Sequence, residues 1–573
     1  LTDSILLGID AGGTFTDFVC IRVGQTVEIA VHKTLSTPAA PEQAILAGIE
    51  ALGLLGEAER SKLHIIHGST VATNAVLEGK NAPTAYVTNH GFGDTLRLGR
   101  QTRPALYALE FPAQSIPVPF DYCLETGGRM SAEGKVLETL TPEELQDLVV
   151  KIKDLAPEAV AINLLFSFLD DSSEVEIEKA ITDSGLPVFV SRSSGVLPVY
   201  KEYERGIATW LNASLGPVVS GYLSRLNSGL NRCTLRIMQS NGETIDADKA
   251  AESAVRLLLS GPAGGLIAMK TLGEQIDISH IISFDMGGTS TDVALLDGDI
   301  ATTSEGHIGP YPVAVPMVDM HTIGAGGGSI AYVDEGGMLQ VGPRSAGADP
   351  GPACYGLGGR HATVTDANLI LGRLVPGGRL AGSLALSVAQ ARNAVGVLAQ
   401  EIALSVEETA AGIIRIANEH MAKAIREVSV NRGYDPADFV LASFGGAGGL
   451  HVCALAEALR MHQALVPARG GVLSALGMLM ASRGRQLTRT LGVAIDGIEI
   501  SALQAAMEDL ENRATEELTA EGESGGELVC TRSIDLCYKG QSYTLNVPWQ
   551  GPTESLAAFR ALHERRYGYS LDS

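Results

Sequence analysis

The stretch Asp285-Met-Gly-Gly-Thr-Ser-Thr-Asp292 decides the fold, because it echoes Asp10-Ala-Gly-Gly-Thr-Phe-Thr-Asp17 near the start of the chain, with six of eight positions identical. In both copies β-branched or aromatic residues lead in (Ile5 to Ile9, Ile281 to Phe284) and an apolar run leads out (Phe18 to Ile21, Val293 to Leu296). This reads as strand, tight glycine turn, strand, used twice. Paired glycines permit positive φ and carry no Cβ, so backbone N–H groups can approach a phosphate closely, and threonine hydroxyls add donors. The aspartate ending the first strand cannot bind phosphate, but it can hold Mg²⁺ or a water that does. Either copy alone also reads as an ordinary hairpin turn. Their repetition favours two facing hairpins that grip a polyphosphate, an ATP site split between two lobes.

The 573 residues suggest three or four domains by length alone. Hydrophobic residues make up 45%, which is globular, and a net charge of -24 with pI ≈ 4.9 argues against nucleic acid or an anionic membrane as main partner. Seven scattered cysteines without a C-x-x-C pair suggest a reducing cytoplasm and no structural zinc. No signal peptide and no bilayer-length apolar run is present. A first residue of Leu1 rather than Met points to a trimmed or replaced N-terminus.

From residue 1 to about 194 strands and helices alternate. Helical spacing over Pro41–Leu55 is followed by a strand at His64–His67 that runs into Gly68-Ser-Thr-Val-Ala-Thr-Asn74. A strand at Thr84–Thr88 precedes a polar loop carrying Arg97, Arg100 and Arg103. Helices at Pro142–Leu155 and Ser173–Ser184 alternate with strands at Ala159–Leu165 and Val188–Val190, which implies a mixed or parallel sheet covered by helices. Tyr200–Leu226 reads as a long helix bridging to a second lobe, residues 195–490. That lobe holds the second hairpin, the glycine loop Gly324–Ser329, a helix over Glu407–Asn431, and a buried strand, Phe439–Phe444, ending in Gly445-Gly-Ala-Gly-Gly449. Beyond 490 a charged helix (Ile500–Glu521), alternating β sequence (Cys530–Val547) and a last helix read as a small C-terminal α+β domain, 491–573. The whole is a two-lobed α/β, actin-like ATPase (ribonuclease H-like) plan, shared by actin, sugar kinases and heat-shock chaperone ATPases.

Rival signatures fail. The nearest G-x-S-x-G, Gly327-Gly-Ser329-Ile-Ala331, ends in Ala within a glycine run, and neither a Walker A loop nor a G-x-G-x-x-G follows a strand.

Ile9–Asp17, His67–Asn74, Ser260-Gly-Pro-Ala-Gly-Gly265, Asp285–Asp292, Gly324–Ile330, Phe444–Gly448 and Gly471-Val-Leu-Ser-Ala-Leu-Gly477 together resemble the A subunits of the hydantoinase/oxoprolinase family. The likeness runs from residue 5 to the end. Gly449 stands where the family usually has Pro and Glu243 where Gly is common. The chain also stops at Ser573 while the family's C-terminal domain is still continuing, which implies a truncated chain or a short member.

The resemblance implies ATP and Mg²⁺ as cofactors and phosphorylation of the carbonyl oxygen of a cyclic amide (hydantoin, 5-oxoproline or another lactam), with a hydantoinase B-like subunit completing hydrolysis. A carboxylase β-like subunit acting on a ketone, and a chaperone- or reactivase-type ATPase, are the alternatives. A small-molecule kinase releasing a stable phosphorylated product is a third. A homo- or hetero-oligomer is implied.

On these residues, Gly12, Gly13, Thr14, Gly287, Gly288 and Thr289 would cradle phosphates, with Thr16, Thr291, Gly326 and Gly327 beside them. Asp10 and Asp285 would hold Mg²⁺ through water, and Gly445 and Gly446 would pack on the adenosine. His67, Thr70 and Asn74 are candidate substrate residues, against a core-histidine and helix-cap reading. Arg100, with Arg97 and Arg103, would meet an anion or lie in a solvated loop. Asp319 and His321 are a candidate base, metal-ligand pair or cleft-lining pair, Asp17 and Asp292 would cap or pair within their lobes, and Cys354 reads as a packed thiol.

Overall fold

The computed structural model describes residues 4–37, 39–102, 107, 116–230, 233–380, 384–495, 497–521 and 528–571. Both glycine stretches form the expected hairpins. Ser4–Ala11 pairs antiparallel with Phe15–Val23, and His280–Met286 with Thr291–Asp297. Each hairpin is the centre of a sheet of the same plan. In the first, Val27–Leu35 extends the hairpin antiparallel on one side, while Leu63–Ser69 and Thr234–Met238 add parallel on the other, with Thr244–Asp246 at the edge. In the second, Met320–Ile323 takes the antiparallel place, and Val440–Phe444 and Ala464–Leu465 the parallel ones. The duplication seen in eight residues thus extends to whole sheets.

Two corrections follow for the sequence reading. The first sheet is completed by residues 234–246, so a lobe boundary at 194 cuts across it. The long helix, Glu202–Gly229, is no bridge. It is buried over most of its surface, with Ile207, Leu211, Leu215, Val219 and Leu226 in the main core of the first lobe. Arg205 to Gly216 are all buried, so that half of the helix lies inside the domain, while Ser224, Arg225 and Asn227 keep one face of the other half exposed. Its N-terminal part packs on a four-stranded parallel sheet inserted into this lobe (Phe189–Arg192, Ala159–Ile162, Thr84–Asn89, Cys123–Thr126), where the buried Arg205 donates to Asn163 and to the Leu164 carbonyl. Its C-terminal part brings Tyr222 to His67.

Between the two hairpin sheets lies a pair of helices, Gly261–Gln275 and Leu473–Met478. They cross at glycines: a Cβ on Gly477 would fall 1.8 Å from the Gly264 carbonyl oxygen, and one on Gly264 would fall 2.6 Å from the Ser474 oxygen. Gly8 of the first hairpin likewise faces the Ala475 carbonyl. The two small-residue motifs, more than 200 positions apart in sequence, are the two sides of one close-packed contact joining the lobes.

The C-terminal segment has its own small core of Tyr538, Leu545, Val547 and Phe559, built from the helix Pro552–Tyr567 and a hairpin, Ser533–Leu536 with Leu545–Pro548; the helix Ile500–Ala520 precedes it in the chain and contributes none of its described residues to it. It borders a cleft of about 3220 Å³ whose other walls come from both lobes. Among the described residues no helix is long and apolar enough to cross a membrane.

Candidate active site

The register of each hairpin sets two aspartates side by side, Asp10 opposite Asp17 and Asp285 opposite Asp292. The turns close identically, with the Gly12 N–H donating to the Phe15 carbonyl and the Gly287 N–H to the Ser290 carbonyl, both at 3.1 Å. None of Gly12, Gly13, Gly287 or Gly288 adopts positive φ. The glycines are needed instead for a bare backbone: Gly13 has open space where a Cβ would stand, and a Cβ on Gly288 would lie 3.2 Å from the Thr14 hydroxyl of the facing hairpin. The two turns therefore approach each other directly.

The inner threonines point away from the tips. Thr16 shares a hydrogen bond with Ser36, which donates to the Gly12 carbonyl, and Thr291 donates to the Ala325 carbonyl. Gly326 and Gly327 brace the second turn from behind, through Gly327 N–H to Gly287 and Gly328 N–H to Gly288. A Cβ on Gly326 would meet the backbone of Gly288 and Thr289 at 2.7–2.8 Å. Since only backbone could give way, Gly326→Ala is expected to cost about 1–3 kcal/mol, read as a lower midpoint in denaturant unfolding. Gly445, at φ +78°, is pressed against the Asp285 carboxylate, whereas Gly446 faces open space.

The electrostatics are unusual for an acidic protein. Asp10, Asp17, Asp285 and Asp292 are half-buried and sense one another. Burial and then the charge of Asp17 push Asp10 up to about 7, and burial pushes Asp292 to about 6. Asp285 is raised well above the usual range by burial and by the other three aspartates. Among the described residues, Lys33 is the one lysine or arginine hydrogen-bonded to any of the four; its Nζ lies 2.6 and 2.9 Å from the Asp17 oxygens and 3.5 Å from the Gly471 carbonyl. Among the described residues Asp292 accepts one side-chain hydrogen bond, from the Thr322 hydroxyl at 2.5 Å, and lies in electrostatic reach of His321. A cavity of about 10 Å³, room for roughly one water, lies against Asp285, Asp292 and Pro262.

Sequence reasoning missed two contributors here. Lys33 is invisible without strand register, and nothing local in Ser260–Gly265 says that the first turn of Gly261–Gln275 faces the hairpins. A Cβ on Gly261 would sit 3.6 Å from Asp10 Oδ1, so this helix presents its unpaired N–H groups and positive dipole end between the hairpins.

Other candidates lie elsewhere. His67 is fully enclosed, Nδ1 to the Ile9 carbonyl and Nε2 to Tyr222, and burial lowers it to about 4, so it is neutral. Thr70 donates to the Ala11 carbonyl and Asn74 to Thr70, which places this turn against the first hairpin. Arg100 is paired bidentately with Glu204 and lines the large cleft, as do Gln101 and Thr102. None of the four aspartates lines that cleft. Glu204 and Tyr222 share one helix at about 27 Å separation, so the Arg100 pair and the His67 pair sit near opposite ends of it. Arg97 stays exposed near Asp94, and Arg103 lies outside the described residues. Asp319 is consumed by Arg432 at 2.5 Å, and His321 faces Glu427 at 4.0 Å. Cys354 is a packed thiol beside Leu369 and Leu386.

Residues 6–185 match the hydantoinase/oxoprolinase N-terminal region, and residues 205–486 the hydantoinase/oxoprolinase domain. An uncharacterized protein of Methanocaldococcus jannaschii is 40% identical over 98% of this chain and 85% of its own length. Caprolactamase subunit alpha of Pseudomonas jessenii is 36% identical over 98% of this chain and 83% of its own. The chain belongs to the hydantoinase/oxoprolinase family. In three dimensions, the ATP-dependent caprolactamase of Pseudomonas jessenii matches 99% of this chain and 85% of that one, at TM-score 0.87 and 33% identity. A nucleotide-free acetone carboxylase matches the same shares at TM-score 0.79 and 27% identity. The fold is accordingly the family's two-lobed, actin-like ATPase type.

Proposed function

We propose that this family member is the ATP-dependent subunit that phosphorylates the carbonyl oxygen of a cyclic amide, activating it for ring opening with a hydantoinase B-like subunit. The observation that supports this reading is the meeting of two bare-glycine turns and four aspartates with a single ammonium group between two lobes. Four carboxylates forced together with one ammonium between them suit a hard, oxygen-seeking cation, and Mg²⁺ fits that donor set. Among the described residues no three of these aspartates offer ligand atoms within 4.8 Å of one another; the group that does is His90, Glu138 and Glu144, beside the inserted sheet, the last two on the hairpin and helix that follow its Cys123–Thr126 strand. Asp10 and Asp285 would therefore hold Mg²⁺ largely through water, and its charge would neutralise phosphate oxygens.

The chain's own groups supply positioning. The exposed amides of Gly13 and Gly288 and the first turn of Gly261–Gln275 would bind phosphate oxygens, and the Thr70–Asn74 turn would form the substrate wall beside them. An unstrained amide resists hydrolysis because its nitrogen lone pair is delocalised into the carbonyl. As the carbonyl oxygen bonds to the γ-phosphorus, the bond from that phosphorus to ADP breaks, and the polarised amide is fixed as a phosphate ester. Water addition, C–N cleavage and loss of phosphate then fall to the partner. Transfer of this kind needs alignment and charge neutralisation more than covalent catalysis.

The test is ADP release by the pure protein with Mg²⁺-ATP against hydantoins, 5-oxoproline, caprolactam and acetone, with and without a B-like subunit. Stimulation by one lactam is the expected result. Stimulation by acetone alone would favour a ketone-activating subunit, a reading supported by the acetone carboxylase likeness. Turnover indifferent to every compound would sink the carbonyl reading in favour of a partner-switching ATPase.

A further inference from the structure

The two hairpin sheets differ at one place that matters electrostatically. Each second aspartate faces a residue on the adjoining antiparallel strand, Asp17 opposite Lys33 in the first sheet and Asp292 opposite Thr322 in the second. Both facing residues use that register to reach the carboxylate: the Lys33 ammonium at 2.6 Å, the Thr322 hydroxyl at 2.5 Å. At equivalent positions of a duplicated plan, one lobe carries a positive charge and the other a neutral donor. Lys33 is steered further by the Phe15 ring, 5.0 Å below it, and by the Gly471 carbonyl from the segment that packs between the lobes. It is thus held at the seam where the turns meet.

We propose that this exchange gives the hairpins different ligands: the second, through Asp285 and Asp292, provides the main charge that holds the divalent cation, with Asp10 reaching it through water, and the first, with Asp17 neutralised by Lys33, holds the anionic phosphoryl group. The proposal rests on the ATP-dependent reading above and adds what that reading leaves symmetric. The reason is charge arithmetic. A divalent cation beside Lys33 would be repelled by the ammonium and would find Asp17 already bound on both oxygens. A phosphate beside Asp292 would meet a carboxylate hydrogen-bonded by one hydroxyl, with the His321 imidazole in electrostatic reach but no ammonium or guanidinium bound to it among the described residues. With the ligands exchanged, each hairpin has complementary charge, and Lys33 acts as a positioning residue at the first turn.

The experiment reads binding rather than turnover. Free Mn²⁺ is followed by electron paramagnetic resonance as it titrates the full chain, and ATP affinity is measured by calorimetry in chelator, for wild type, Lys33→Met, Lys33→Arg, Thr322→Lys and Thr322→Ser. Lys33→Met is expected to keep Mn²⁺ affinity within about threefold while ATP affinity falls at least tenfold, and Lys33→Arg to restore the latter. Thr322→Lys is expected to weaken Mn²⁺ at least tenfold, with Thr322→Ser unchanged. Circular dichroism shows that each variant is folded, and the Arg and Ser variants carry the test if the others are not: loss of ATP binding in Lys33→Arg or of Mn²⁺ binding in Thr322→Ser overturns the assignment. So does Mn²⁺ loss in folded Lys33→Met, or Mn²⁺ retention in folded Thr322→Lys. A wild type that binds both ligands, with variants showing no such split, overturns this assignment and leaves the ATP reading standing. A wild type that binds neither overturns both.

Discussion

Asp285→Asn is expected to lower lactam-stimulated ADP release at least a hundredfold while leaving the metal-free protein as stable as wild type or more so. The two signs come from the same fact. Asp285 is deeply set, faces Asp292, Asp10 and Asp17, and has only the distant Lys33 to offset its charge. Without a cation its negative charge opposes folding, and asparagine removes that charge with little change of shape beside Gly445. With substrate bound, the same charge would be what holds the cation, and losing one preorganised electrostatic contact in an active site costs about 10²–10³ in rate. A structural carboxylate behaves oppositely. Asp366 is buried and accepts from the Thr363 N–H and hydroxyl and from the Cys354 and Ala353 N–H groups, completing a capping box. Asp366→Asn should destabilise by about 1–3 kcal/mol. Thermal melts and ADP release on both variants check the contrast; a large stability loss in Asp285→Asn with proportionate loss of activity would refute the functional assignment.

What the sequence revealed and what it hid divide by range. The hairpins were legible because strand, turn and strand are contiguous and occur twice. Helices with polar faces and good caps, such as Pro142–Leu155 behind Thr141, were legible to the residue. Glu202–Gly229 was found but misplaced, since its apolar and small residues say that a helix packs without saying against what. The Gly264–Gly477 crossing and the Lys33–Asp17 pair require knowing which strands neighbour which, and neither follows from local pattern. Lys33 lies 16 residues from Asp17 and Thr322 lies 30 from Asp292, so even the repeat disguises their equivalence. Arg100 was drawn to the site by its charge, but its charge is satisfied by Glu204, a residue 104 positions later. His67 read equally as ligand or core, and burial with two partners supplies the core description.

The second large effect expected is on stability. In chelator, the melting temperature should fall as pH rises from 6.5 to 8, and Mg²⁺ should restore it most at the upper end. Asp10 and Asp292 ordinarily titrate at 3.8 but are raised to about 7 and about 6 in the fold, with Asp285 raised further. Between those values the folded chain binds more protons than the unfolded one, so stability falls as pH rises. The contribution is fully present below 3.8 and is lost as pH passes through 6 to 7 and beyond, by a few kcal/mol in all. Buried histidines oppose this at lower pH. His67 and His451 are lowered from 6.5 to about 4, so their contribution is present above 6.5 and lost as pH falls toward 4. At 6.5 the unfolded-state histidines are still half protonated, so these two partly offset the fall at the start of the window, and from about 7.5 upward the aspartates alone set the slope. A cation removes the penalty by occupying the charge, so the gain in melting temperature with Mg²⁺ should grow with pH, and Asp285→Asn should flatten both the slope and the gain. A melting temperature independent of pH over this window in chelator would mean that the four carboxylates are not strained together, and the case for a cation between the hairpins would lose its physical basis.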